Sequence, residues 1–214
     1  VSARIQLHSK YSTNKQSWFP WIFEQCHMEN HSNVLEIGCG DGSLWLENKE
    51  KIPEQLHVVL SDISEGMLRD TRRMIHSNIQ NARFDCERIP YPNDSFDLII
   101  ANHVLFYCKH LTDVFQEIAR VLKPNGVFIC STYGSEHMKE INELVSEFDD
   151  RIILSAERLF ERFGKENGAD LLAPYFHNIT WLPYEDSLYV TEPETLISYV
   201  LSCHGNQNQY IIDH

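Results

Sequence analysis

Val34-Leu35-Glu36-Ile37-Gly38-Cys39-Gly40-Asp41-Gly42 decides how this 214-residue chain folds. Val34, Leu35 and Ile37 form a short apolar run of the kind buried in a parallel sheet. The run stops in a turn with glycines at 38, 40 and 42, where the backbone can adopt left-handed conformations and lie close to a ligand. A helix entered from such a turn points its free amides at that ligand. The stretch predicts a strand–turn–helix unit built to hold a nucleotide-like molecule.

Upstream, residues 1–15 are polar and aromatic, and Trp18, Trp21, Ile22, Phe23 and Cys26 recur at near-helical spacing, giving a lead-in helix over about 16–28. Downstream, Asp41–Asn48 opens a helix and Leu56–Leu60 reads as a second strand ending at Ser61-Asp62. Ser64 suits an N-cap for a helix with Met67, Leu68 and Ile75 as its stripe. Ala82–Phe84 is a short third strand ending at Asp85, and two prolines make Arg88–Ser95 a loop. Phe96–Ala101 is the most apolar strand and ends at Asn102-His103. Thr112 caps a helix whose apolar face is Val114, Phe115, Ile118, Val121 and Leu122, and Pro124-Asn125-Gly126 precedes strand five at Val127–Ser131. Strands and helices alternating at this spacing predict an α/β fold: a doubly wound, mostly parallel Rossmann-like sheet with helices on both faces.

The pattern changes after Tyr133. Amphipathic helices are expected over 135–148 and 155–167, strands over Ile179–Trp181 and Ser187–Val190, and a helix from Pro193 to about Cys203 before a polar, mobile tail at 205–209. The chain reads as one domain. Residues 1–28 are lid and lead-in helix, 29–133 cofactor-binding core, 134–192 a partly helical substrate cap with a strand insertion, and 193–214 C-terminal helix and tail.

A net charge of −13 argues against nucleic acid as the main partner, since phosphate binding needs clustered Lys and Arg. Six scattered cysteines without a C-x-x-C pair read as reduced thiols in a cytoplasmic protein. Eleven histidines form no H-x-x-x-H or H-E-x-x-H pair, so no metal is expected. No apolar stretch approaches the ~20 residues of a membrane span. A monomer or homodimer is expected.

Ligands of open parallel sheets bind at the carboxyl ends of the strands. Three of the first four predicted strand ends carry an acid: Glu36, Asp62 and Asp85. A carboxylate beside a ribose can accept from two hydroxyls, a second can accept from an adenine amine, and Ile63 and Met67 suit the ring faces. A dinucleotide site wants G-x-G-x-x-G, which needs glycine at 43; Ser43 stands there and the glycine is at 42.

With Val58–Met67, Asp85–Asp97, Asp97–Tyr107 and Val121–Cys130 added to Val34–Gly42, the chain resembles class I S-adenosylmethionine-dependent methyltransferases. Within that class it resembles the small-molecule group of ubiquinone/menaquinone-biosynthesis type. The resemblance covers about residues 30–133. It implies that Gly38, Cys39 and Gly40 approach the methionine part of the cofactor and that Glu36 shapes the turn and reaches the cofactor amine through water. By the same resemblance Asp62 takes the ribose hydroxyls, Asp85 and the Cys86 amide face the adenine, and Asn102 sits by the methionyl group. His8, Tyr11, His103 and Tyr107 are expected on the methyl-acceptor side, with residues 1–15 as a lid. Such folds close with an antiparallel strand at the sheet edge, and here only Tyr210-Ile211-Ile212 follows Cys203.

The implied activity is methyl transfer to O, N or C of a small-molecule acceptor, leaving S-adenosylhomocysteine. It works by alignment in a dry pocket, with His103 the first candidate for a base and Tyr107 beside it. The alternatives are a cofactor-binding regulatory or scaffold protein without turnover and a nicotinamide-dependent oxidoreductase. Nucleic-acid methylation is weaker still, because Asn102-His103-Val104-Leu105 replaces the Asn/Asp-Pro-Pro-aromatic run of enzymes acting on base amines.

Overall fold

A computed structural model describes residues 3–72, 78–155 and 157–211. In chain order it contains α1 (Ala3–Tyr11), α2 (Trp18–Gln25), β1 (Asn33–Ile37), α3 (Ser43–Glu47), β2 (His57–Asp62), α4 (Glu65–Thr71), β3 (Ile79–Arg83), β4 (Phe96–Asn102), α5 (Leu111–Val121) and β5 (Leu122–Ser131). Beyond the sheet come α6 (Lys139–Phe148), α7 (Leu159–Arg162), α8 (Gly168–Leu172), α9 (Pro193–Leu201) and α10 (Gln207–Ile211).

The five strands form one all-parallel sheet in the order β3-β2-β1-β4-β5, as the alternating pattern predicts. The order reverses beside β1, so the glycine turn stands at the switch point where such sheets bind ligands. The two-residue period of the strands divides the core. Leu35, Ile37, Ile99 and Ala101 pack with Val114, Phe115, Ile118 and Val121 of α5 on one face. Val34, Leu98, Ile100, Val58 and Leu60 pack with Ile22, Phe23, Leu44, Trp45 and Leu68 on the other. Each fully buried side chain of this kind contributes about 1.5–3 kcal/mol. Ser64 caps α4 through its hydroxyl, which accepts from the Met67 amide at 3.4 Å. Ile75, expected on the α4 stripe, lies outside the described residues.

Several expectations are corrected. α5 begins at Leu111, so Thr112 lies inside it rather than capping it. β5 begins directly at Leu122, with a register irregularity between Phe96 and Leu98 where Pro124-Asn125-Gly126 interrupts the pairing. Helix 155–167 is reduced to α7, whose continuation Gly164 weakens, and a new short helix, α8, starts at Gly168. The tail is helical at α10, anchored by the fully buried Gln207.

The strand insertion expected within 134–192 is corrected too: Ile179–Trp181 and Ser187–Val190 form no named strand. Exposed Ile179, Trp181 and Leu182 have no neighbouring strand to pair with, and only Leu188 makes a bridge, antiparallel to Ser12. Backbone bonds from Thr13 to Ser187 and from Tyr189 to Tyr11 tie this segment to the N-terminal one. A third core, separate from the sheet, unites Leu7 and Tyr11 of α1 with Ile141, Ile152, Leu154, Val200 and Cys203.

Candidate active site

β1 delivers the chain into a turn where Gly38, Gly40 and Gly42 have φ of 64°, 57° and 79°. These are left-handed values that non-glycine residues rarely adopt. The first two serve different ends. A Cβ on Gly38 would lie 2.3 Å from Val104 Cγ2, so that glycine lets the β4 loop close over the turn. A Cβ on Gly40 would meet nothing within 4 Å, so that glycine faces open space, as a ligand cradle requires.

Asp62, at the end of β2, braces the turn. One carboxylate oxygen accepts from the Gly40 amide at 3.0 Å and the other from the Ser64 amide at 2.8 Å. Each carboxylate oxygen has a further lone pair to offer a ligand hydroxyl. Beside it, Ile63 and Met67 are 63% and 46% exposed, two apolar side chains left uncovered at a strand end. Asp85 lies two residues beyond β3, exposed, and accepts from the Glu87 amide at 3.0 Å. All six cysteines are unpaired. The Cys86 and Cys108 sulfurs are 3.4 Å apart, and that hydrogen bond, with burial, pushes the Cys86 thiol up. Burial likewise raises Cys39, with Glu36 and Asp62 adding to it.

Glu36 takes a position its sequence role did not specify. It is only 2% exposed, and its carboxylate accepts from Trp45 Nε1 at 2.6 Å. Burial raises its pKa to about 7, opposed by the Trp45 bond and aided by Asp62 and Asp41. It therefore sits inside the sheet, fixing α3 to β1 behind the turn.

At the end of β4 the Asn102 side-chain oxygen accepts from Ser131 Oγ at 2.6 Å and from Trp18 Nε1 at 3.3 Å. That bond draws α2 across the sheet's edge. His103 follows with φ 52°, a left-handed value for a side-chain-bearing residue, and its amide donates to Ser131 Oγ at 2.9 Å. Backbone held this way concentrates at functional sites. The His103 ring lies 5.0 Å from Trp18, which also meets Trp21 and Tyr184, and Tyr184 donates to the Gln16 carbonyl at 2.7 Å. The imidazole is wetted from a trough yet walled by protein. Burial, reinforced by nearby His137, lowers its pKa to about 4. Such a group is unprotonated at neutral pH but a weak base, which lessens the case for His103 as a proton acceptor.

The trough encloses about 3180 Å³ along β5 and past its end, much more than the ~300–1,000 Å³ of a small-molecule site. His103, Phe106 and Tyr107 line its inner end with His8, Tyr133 and His137. Tyr107 is 60% exposed there. Tyr11, expected on this side, is corrected: it is 5% exposed in the third core, its hydroxyl 3.4 Å from Thr195 Oγ1. Arg4, Leu7, His8 and Tyr11 recur at i, i+3, i+4 and i+7 along one side of α1, where Leu7 and Tyr11 pack into the third core and Arg4 and His8 reach the trough at its border.

The structure thus gathers the glycine turn, Asp62, Ile63 and Met67 at the ends of β1 and β2, and His103 and Tyr107 on the far side of β4. Sequence reasoning missed Trp18 as a bridge to Asn102, and Arg4, Tyr133 and His137 as trough residues. Tyr133 and His137 were findable: they follow β5, and the strand-end rule applied to the first four strands extends to the fifth. A mixed cluster of Glu87, His110 and Asp113 has the spacing to hold a cation, but the Glu87 carboxylate is already engaged by the His110 ring at 2.9 Å and by the amides of Lys109 and His110.

Residues 35–130 match the family model of a methyltransferase domain. A malonyl-[acyl-carrier protein] O-methyltransferase of Methylovorus sp. strain MP688 is 32% identical over 130 residues, which make up 57% of this chain and 44% of that protein. The ubiquinone/menaquinone biosynthesis C-methyltransferase UbiE of Coxiella burnetii is 24% identical over 141 residues, 64% of this chain and 56% of that one. The chain spans about half the length of these curated relatives. A solved structure of a Pyrococcus horikoshii OT3 protein shares the fold, with a TM-score of 0.55 and 22% identity across 81% of each chain.

Proposed function

We propose, from the premise that residues 35–130 are a methyltransferase domain, that the chain uses S-adenosylmethionine to methylate O, N or C of a small molecule. One observation supports this most. An open left-handed glycine at 40, a carboxylate at 62 and two uncovered apolar side chains at 63 and 67 converge at the sheet's switch point. These residues fit the cofactor: Gly38–Gly40 for the methionine part, Asp62 for the ribose, Ile63 and Met67 for the adenine faces, and Asp85 and Cys86 for its polar edge. Glu36 acts from behind, holding Trp45 and the turn.

When bound, the cofactor supplies an activated methyl group. The chain's own part is alignment and exclusion of water, which can lower a barrier by roughly 7–11 kcal/mol. Asn102, held by Ser131 and Trp18, fixes the end of β4 between cofactor turn and trough. Trp18 packs on His103 with Tyr184 braced against Trp18, and Tyr107 offers a partly exposed ring to the acceptor. His103, unprotonated at neutral pH, accepts a hydrogen bond rather than driving proton removal.

Nothing in the site favours the nicotinamide alternative, which lacks its glycine at 43. Unpaired thiols support a reducing, cytoplasmic compartment, and among the described residues no helix is long and apolar enough to cross a membrane. Calorimetric titration with S-adenosylmethionine tests the reading. The chain is expected to bind it, and Asp62→Ala to weaken binding by roughly 1.5–3 kcal/mol, the range for hydrogen bonds to a charged group. Unchanged affinity in that variant removes the ribose assignment.

A further inference from the structure

The inner end of the trough holds a cation that the assigned roles do not use. Arg4 and His8 lie four residues apart on one face of α1, and both line the trough with His137, Tyr133 and Tyr199. Arg4 is ion-paired with no carboxylate among the described residues, whereas the trough's other arginine, Arg158, is paired with Glu161 at 2.7 Å. Its guanidinium is close enough for its charge to bear on His8, His137, Tyr133, Tyr199 and Cys203.

Three of the acids that line the trough already have partners. Glu136 pairs with Lys139 at 3.0 Å, Glu166 accepts from the Ser135 amide at 3.0 Å, and Asp186 is held by Ser12 Oγ at 2.7 Å and the Asn14 amide at 3.0 Å. Asp186 acts on His8, not on Arg4's other neighbours. The remaining groups are imidazoles and phenols that donate hydrogen bonds without charge: the surrounding trough walls lower His137 to about 4 and lower His8 as well, although both side chains stay open to solvent, so both are neutral near pH 7. An unpaired guanidinium ringed by neutral donors, in a chain of net charge −13, is a local reversal of the surface potential.

We propose that the methyl acceptor is an organic acid whose carboxylate is held by Arg4, with His8, His137 and Tyr133 donating around it and its apolar body against the ring of Tyr107. One planar guanidinium matches a carboxylate's two oxygens. A phosphate would call for more than one fixed cation, and two of the trough's three lysines are committed, Lys123 to Asp97 at 2.8 Å and Lys139 to Glu136, which leaves Lys165, whose backbone amide donates to the Tyr133 carbonyl at 3.1 Å. Phe106, itself buried, packs on Tyr133 at 5.2 Å and on Tyr107 at 4.7 Å between ring centres and so fixes from behind the two rings that the acid's apolar part would meet. The N-terminal helix is then a substrate-binding element, and the acceptor's charge decides which molecules enter.

The inference rests on the methyltransferase reading, and the two can fail separately. The protein, loaded with S-adenosylhomocysteine, is titrated with phenylacetate and hexanoate and with their neutral amides, followed by ligand-observed NMR. Both acids are expected to bind at least tenfold tighter than their amides. Arg4→Gln should abolish that preference, Arg4→Lys should keep part of it, and the S-adenosylhomocysteine affinity should stay within twofold in both. Amides binding as well as acids, acids failing to bind saturably, or an unchanged preference in Arg4→Gln overturns the inference. Failure of S-adenosylhomocysteine to bind the unaltered chain overturns instead the reading beneath it.

Discussion

Glu36 shows how one residue serves the site from inside the fold. In the unfolded chain a glutamate ionises near 4.5, and here burial raises it to about 7. The sign follows from linkage. Between those values the unfolded state releases a proton that the native state keeps, so this group's contribution falls as pH rises from about 4.5 and is fully unfavourable above about 7. The difference amounts to about 3 kcal/mol. His103 and His137, both lowered to about 4, act oppositely: they favour the native state progressively as pH rises from about 4 to the ordinary 6.5. The variant-minus-wild-type difference therefore isolates Glu36. Glu36→Gln, followed by urea unfolding, is expected to gain about 2–3 kcal/mol more relative to wild type at pH 8 than at pH 5. A difference that does not change with pH would mean that Glu36 is ionised in the native state. The acid itself was legible in the sequence as the end of a strand. Its inward direction was not, because that depends on Trp45 arriving from α3 with an indole N–H in need of an acceptor.

At the scale of elements, the legible parts were those whose patterns repeat locally. β1, β2 and β4 follow from continuous apolar runs, and α5 from Val114, Phe115, Ile118 and Val121 all facing the sheet. What the sequence concealed depends on partners far away in the chain. Residues 1–15 read as a polar lid, yet Leu7 is fully buried because α9 and the segment at 152–154 close over it. The segment around Ser187 reads as a strand but has only the stretch after Tyr11 to pair with. Lys10 and Glu192, 2.6 Å apart but exposed, add little to this union, since surface pairs contribute about 0–1 kcal/mol. Leu7 is where the third core is vulnerable. Leu7→Ala is expected to cost about 2–5 kcal/mol as a buried truncation. Hydrogen exchange should show α1 and α9 losing protection together while β1, β2 and β4 keep theirs. Loss across the whole sheet would show that the third core is not a separate cooperative unit.

The whole molecule couples two packed bodies, the sheet with its helices and the smaller core of α1, α6 and α9, across one trough. The residues proposed for the cofactor lie on the first body alone, and those proposed for the acceptor are divided between both. Between α8 and α9 the chain runs for 20 residues without helix or strand, and Ile179, Trp181 and Leu182 are exposed along it. Exposed segments of this kind are where proteases cut first. The two sides of such a cut would remain attached, because α9 stays packed on α1 and Tyr184 stays against Trp18 and Trp21. Brief chymotrypsin treatment is expected to cleave near Trp181 and leave fragments that co-elute in gel filtration. The nicked protein should bind S-adenosylhomocysteine within about twofold of the intact chain, since Gly40, Asp62 and Ile63 lie at the ends of β1 and β2 and Met67 on the adjoining α4, all away from the cut. Its preference for phenylacetate over the amide should weaken, because the cut loosens the strap that positions α1 and with it Arg4. A nicked protein that loses the cofactor but keeps the acid would reverse this division of labour and place the cofactor under the strap instead.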